Sequence, residues 1–164
     1  MAGKNMSKAK THLYRLDVEW MGNTGQGTES YRSYDRAHRI SVDGKAPIAA
    51  SADPAFRGDK TKYNPEELLV ASLSSCHMLW YLHLCTKAKV TVNRYIDYPI
   101  GTMMEMEDGS GQFSKVLLRP VVTITAQSDA ALAAQIHSKV HQMCFIARSV
   151  NFPVPCEPTI QVKV

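Results

Sequence analysis

At 164 residues, 45% apolar and 21% charged, the chain has the size and balance of a folded domain with a real core, and disorder is not expected beyond its first dozen residues. The formal net charge is only +4, part of it from Lys4, Lys8 and Lys10 in a basic lead over residues 1–11, so no basic stripe marks nucleic-acid binding. That lead has no apolar run and reads as flexible, neither a signal peptide nor an anchor. No run of about 18 consecutive apolar residues occurs either. The expectation is a cytoplasmic chain, with residues 12–164 as a single domain and no membrane segment.

In chain order, Leu13 to Trp20 alternates as a first strand. The turn cluster Gly22–Gly27 leads to a second strand-like stretch over residues 28–42, whose Tyr31–Arg39 segment alternates aromatic and charged residues as a strand with a polar face would. Asp43-Gly44-Lys45 reads as a hairpin turn before a short strand at Ala46–Ser51, and Asp53–Tyr63 reads as loop. Asn64 then suits an N-cap, Pro65 the first helical position, and Glu66 and Glu67 the positive end of the helix dipole. From Leu68 to Cys85 there is almost no charge, the pattern of a helix buried nearly all round. Ser72, Ser74, Ser75 and two histidines within it favour a central core helix over a membrane span.

Lys89–Tyr98 reads as a strand, with Val90, Val92 and Tyr95 as inward candidates. Ile100–Met106 and Lys115–Gln127 flank the turn Glu107–Gly111 as a hairpin. Ser128 or Asp129 caps a second helix running to about Arg148, with Leu132, Ile136, Val140 and Cys144 on one stripe. Three prolines (Pro153, Pro155, Pro158) break the approach to a last strand at Thr159–Val164. The alternation of strand and helix blocks is α+β.

The four cysteines, Cys76, Cys85, Cys144 and Cys156, form no Cys-x-x-Cys, which argues against a thioredoxin motif or zinc ribbon. Spacing alone leaves Cys76 open between a packed core residue and a thiol that attacks peroxide. Burial raises a cysteine pKa, and the helix N-terminus is about 15 Å away at about 1.5 Å per residue. Dipole help fades within one turn, so an attacking thiolate here needs an imported cation. Arg36, Arg39 and Arg57 precede the helix, with Arg148 a weaker candidate. Cys144 is likewise either packed or the thiol that condenses with a sulfenate, which requires Cα atoms within about 7 Å. Cys85 falls on the helix face opposite Cys76, and Cys156, among prolines, reads as structural or exposed; both stay outside the mechanism.

His137, His141 and Cys144 share a helical face and form a zinc-like set, but the carboxylate of a His-Glu-x-x-His motif is missing. His77 is next to Cys76, yet consecutive helical residues point about 100° apart. It reads as a packed or interface histidine. No metal site is expected.

The segment Asn64-Pro65-Glu66-Glu67-Leu68-Leu69, followed by Ala71-Ser72-Leu73-Ser74-Ser75-Cys76-His77-Met78, resembles the signature of the OsmC/Ohr family of osmotically inducible and organic hydroperoxide resistance proteins. His141-Gln142-Met143-Cys144 resembles that family's second cysteine motif. The resemblance implies an intertwined homodimer with active sites at its interface, reducing organic hydroperoxides. It implies redox roles for Cys76 and Cys144, a catalytic glutamate at Glu66, and an external dithiol reductant, lipoyl groups in the Ohr branch. It implies no bound cofactor. Two departures stand out. Gly22–Gly27 holds no arginine, leaving Arg57 or Arg36 to supply the cation, and the helix after Cys76 is bulky, with Met78, Leu79, Trp80 and Tyr81. Glu66 is about 15 Å along the helix from Cys76, so it is expected to orient the arginine or reach a partner's site. Apolar residues such as Leu73, Leu79, Trp80 and Phe145 favour alkyl or lipid-like hydroperoxides. The competing reading is a dimer of the same fold that binds a small molecule or acts as a scaffold, with little peroxidase activity.

Overall fold

A computed structural model describes residues 10–163; most of the basic lead expected over residues 1–11 lies outside the described residues. The chain forms two compact units, one up to Pro65 and one from Glu66 onward.

The first unit holds an antiparallel sheet of β1 (Asp17–Trp20), β2 (His38–Ser41) and β3 (Ile48–Ala50), with Val18 opposite Ile40 and Ile40 opposite Ile48. The Asp43-Gly44 turn forms as expected: Gly44 has a φ of +72°, and Lys45 N–H donates to Val42 at 3.1 Å. The long second strand does not form. Within the expected stretch only His38–Ser41 is a strand, because side chains upstream bond the local backbone instead. The Asn23 carboxamide accepts from Gly25 and Gly27 N–H at 2.9 and 3.1 Å. The Arg36 guanidinium donates to Tyr34 and Tyr31 carbonyls at 2.5 and 2.7 Å, 4.2 Å from both tyrosine ring centres. Such bonds compete directly with a ladder. β1 starts at Asp17, not Leu13. The expected loop at 53–63 contains one 3-10 turn, Pro54–Phe56, opened by Asp53 accepting from Ala55 N–H at 2.7 Å.

In the second unit, α1 (Pro65–Lys87) begins where the Asn-Pro-Glu-Glu signal put it. It is the described helix long and apolar enough, by length and composition alone, to cross a membrane, with mean hydropathy 1.4. Its serines and histidines fit the core-helix reading, but burial nearly all round is not found. Leu73, His77, Tyr81 and Cys85, four residues apart, make one buried stripe, and the remaining positions are half-buried or exposed. The stripe divides between two packed groups. Tyr81 and Cys85 pack with Val122, Ile124, Ile136 and Val140, whereas Leu73 packs with Val116, Leu118 and Val154.

β4 (Val92–Asp97) pairs antiparallel with β7 (Pro120–Thr125), which pairs in parallel with β8 (Thr159–Lys163). β5 (Ile100–Glu105) and β6 (Gly111–Leu117) form a separate hairpin. The expected strand Lys115–Gln127 is therefore two strands in two sheets. Pro120 has no N–H to continue the ladder, Arg119 N–H donates to the Asp97 carboxylate at 2.7 Å, and Leu118 bonds the backbone on either side of Cys156. α2 (Ala130–Met143) starts at the Asp129 cap, whose carboxylate accepts from Leu132 N–H at 3.0 Å. It stops before Cys144, which has extended backbone (ψ 111°), and Arg148 falls in a following 3-10 turn. Cys144 thus caps the helix instead of riding on it. The architecture is α+β, with two helices and several small sheets.

Candidate functional site

The end of α2 brings Cys144 to the middle of α1. Cys144 is fully buried, Cys76 is half-buried, and their sulfurs lie 2.6 Å apart as free thiols. Ala147 N–H donates to the Cys144 sulfur at 3.4 Å from the turn after the helix. Burial, reinforced by the bond to Cys76, pushes the Cys144 thiol up, so it stays protonated near neutral pH. Ending α2 at Met143, before Cys144, is what allows this: the extended backbone at Cys144 turns the chain back through Ile146 and Ala147, both packed on the same core.

The other expected participants stand apart from this pair in the chain. Glu66 lies in the first turn of α1, and its Oε2 is buried without a hydrogen-bond partner among the described residues. Arg36 and Arg57 belong to the first unit. Arg36 is committed there to two carbonyls and two tyrosine rings. Arg57 closes the 3-10 turn with a φ of +64° and lies 6.0 Å from the Tyr31 ring centre. Arg39 pairs with Glu19 at 2.5 Å on neighbouring strands.

The zinc-like set His137, His141 and Cys144 is not assembled. Cys144 faces Cys76, His141 is exposed, and His137 turns to two residues the sequence did not connect with it. His77 Nε2 and His137 Nδ1 are 2.9 Å apart, and the Cys156 sulfur is 3.6 and 3.7 Å from those two nitrogens. His77 is packed, as read from the sequence; Cys156, read as structural or exposed, is half-buried beside it. The available sign was the proline rail around Cys156. Backbone constrained by Pro153, Pro155 and Pro158 docks on Leu118 and delivers the thiol to a set position. Cys85 is buried next to Tyr81, its thiol pushed up by desolvation.

The OsmC-like protein family pattern matches residues 58–159. An OsmC-like protein of unknown function from Vibrio cholerae is 32% identical, with 90% of this chain and 99% of that one covered, and superposes with a TM-score of 0.81. An organic hydroperoxide resistance protein from Elizabethkingia anophelis is 17% identical over 94% of this chain and 100% of that one, with a TM-score of 0.64. One from Legionella pneumophila is 14% identical over 92% and 99%, also at 0.64. At those identities the last two show a shared fold. No curated protein matches the chain.

Proposed function

The chain belongs to the OsmC-like protein family, and we propose that it reduces organic hydroperoxides through Cys76 and Cys144. The observation that carries this reading is the 2.6 Å approach of two free thiols 68 residues apart in sequence. The hydroperoxide resistance proteins that share the fold add the substrate class.

In the proposed cycle the Cys76 thiolate attacks one oxygen of ROOH. The O–O bond breaks, the alcohol leaves as ROH after taking a proton, and Cys76 becomes a sulfenic acid. The Cys144 sulfur then attacks Cys76, displacing water and closing a disulfide. An external dithiol, lipoyl groups being one form, reduces that disulfide and leaves as its own cyclic disulfide. Exposure supports this division of labour, because Cys76 is the more accessible sulfur and Cys144 the buried, protonated one. A thiolate within apolar surroundings needs a cation. Of the two arginines named for that task, Arg57 makes no ion pair among the described residues and Arg36 is already engaged, so Arg57 is the preferred supplier. Glu66 is proposed to orient it, consistent with a buried carboxylate oxygen that lacks a hydrogen-bond partner among the described residues. Trp80 and Phe145, edge-to-face at 5.7 Å near the thiols, favour an alkyl or lipid-like R group.

A homodimer is part of the proposal. Leu79 and Phe145 are 63% and 67% exposed beside Trp80, an apolar surface that a second copy would cover. Light scattering should give twice the chain mass; a monomer at micromolar concentration would remove this element. The central test follows peroxide consumption with a dithiol by wild type, Cys76→Ser and Cys144→Ser. Turnover is expected in the wild type alone. Undiminished turnover by Cys76→Ser would refute the assignment.

A further inference from the structure

Next to Cys76 on α1, His77 points away from the thiol pair into a second cluster that peroxide reduction does not use. We propose that His77 Nε2, His137 Nδ1 and the Cys156 sulfur form a binding site for a borderline-soft divalent cation, zinc foremost, with its fourth position open to the adjoining cavity.

The distances fit. Tetrahedral zinc with bonds of about 2.05 Å to nitrogen and about 2.3 Å to sulfur sets neighbouring N and S ligands about 3.6 Å apart and two nitrogens about 3.3 Å apart. The cluster has N–S separations of 3.6 and 3.7 Å and an N–N separation of 2.9 Å. Only the two imidazoles need to part, by a few tenths of an ångström. All candidate ligand atoms already lie within 4.8 Å of one another.

The rings suit the task chemically. Both histidines are buried, and desolvation pushes His77 down to about 4 and His137 down to about 3, so each is a neutral imidazole with a free lone pair at neutral pH. As a hydrogen-bonded pair they are incomplete. One proton serves both facing nitrogens, and His137 Nε2 is buried with no partner among the described residues. A pair kept for packing alone would be cheaper as two apolar side chains.

Charge also fits. The Asp97 carboxylate is held by Ser74 Oγ at 2.6 Å and Arg119 N–H at 2.7 Å; it opposes part of the desolvation that lowers His77 and adds to the rise that burial causes at Cys156, so its negative field reaches the cluster. On coordination Cys156 releases its thiol proton to solvent, and the thiolate with Asp97 offsets a dipositive ion. Burial holds the free Cys156 thiol up, to about 12, so the metal must supply the drive for that ionisation. The fold presets the ligands: His77 and His137 sit on facing helices, with the Tyr81 ring stacked 3.9 Å from the His137 ring centre. The proline rail carries Cys156 between them. A cavity of about 710 Å³ opens beside all three, bordered also by His141, Phe152 and Pro158. Three protein ligands with one open position is the arrangement of zinc sites that hold water or a substrate.

The test uses full-length Cys76→Ser/Cys144→Ser, which removes the other thiol pair as a competing site. After chelator treatment it is titrated with Zn²⁺ and, separately, with Co²⁺. The expected results are one metal per chain and a cysteinate-to-cobalt charge-transfer band. Adding Cys156→Ser or His77→Gln should weaken affinity more than about tenfold, and Cys156→Ser should abolish the band. In wild type, zinc should protect Cys156 from alkylation, read by peptide mass, even if either added substitution fails to fold. No stoichiometric binding, a missing band, or unprotected Cys156 at saturating zinc would overturn the proposal. So would binding that survives both substitutions in folded protein. None of these readouts depends on peroxide, so the site stands or falls separately from the peroxidase reading.

Discussion

Cys76 and His77 are neighbours on one helix and face two different chemistries. Cys76, half-buried, meets another thiol at 2.6 Å, whereas His77, buried, meets an imidazole at 2.9 Å and a thiol at 3.6 Å. The helical step of about 100° per residue separates the two faces, and α2 serves both. It sends His137 to one from its third turn and, by ending early, Cys144 to the other. What differs is the partner of the sulfur. A thiol beside a thiol can exchange electrons by forming a disulfide, whereas a thiol beside two neutral imidazoles is arranged to share a cation.

The largest expected effect asks whether the faces are independent. In Cys144→Ser, multiple turnover should fall roughly a thousandfold or more. Without its resolving partner, Cys76 should instead accumulate as the sulfenic acid and, with excess peroxide, as the sulfinic acid, seen as one and two added oxygens by mass spectrometry. Cys156 should not substitute as resolving thiol, because it is turned to the histidines and burial keeps it protonated. A Cys76–Cys156 disulfide in that variant would break the separation of the faces.

A second effect, several kcal/mol at most, belongs to the histidine face in metal-free protein. Unfolded, both imidazoles protonate below about 6.5. Folded, His77 resists protonation to about 4 and His137 to about 3. Between those limits the unfolded chain binds more protons, so stability falls as the pH is lowered, by at most about 1.4 kcal/mol per pH unit for each histidine. The loss begins near pH 6.5 and is complete below the folded values. Urea midpoints should therefore drop between pH 7 and pH 5. A midpoint unchanged over that range would show that the rings are not buried as neutral groups.

The sequence was most legible where local chemistry decides the outcome. Asn64-Pro65-Glu66-Glu67 opens a helix and Asp43-Gly44 turns a hairpin because the signal and its effect lie within a few residues. Tyr31–Arg39 misled because alternation is only a surface pattern; Arg36 bonds the carbonyls of residues 31 and 34, which no period reveals. Cys144 was readable as a second thiol but not as a helix end. At the sites, the family motif pointed to Cys76 and Cys144, while their approach across 68 residues belongs to tertiary packing. No motif joined His77, His137 and Cys156, which come from two helices and an extended segment and are up to 79 residues apart in sequence. His77 read as a packed or interface residue, His137 as part of a set with His141 and Cys144, and Cys156 as structural or exposed.

The smallest effect probes the element the two faces share. Asp129 caps α2 by accepting from Leu132 N–H at 3.0 Å, and Asp129→Ala should cost about 1 kcal/mol, read as a lower urea midpoint with unchanged slope. The lost bond lies at the helix N-terminus, whereas Cys144 sits beyond the opposite end, held by its N–H to Val140 and by Ala147. His137 lies between, fixed by Tyr81 and His77. Fraying of the first turn should thus leave Cys76–Cys144 disulfide formation at its wild-type rate and cobalt affinity nearly so. If both decline together by much more than the stability loss accounts for, α2 moves as a rigid rod and the faces are mechanically coupled. If only cobalt affinity declines, the His137 position depends on the first turn, and the metal face is the softer of the two.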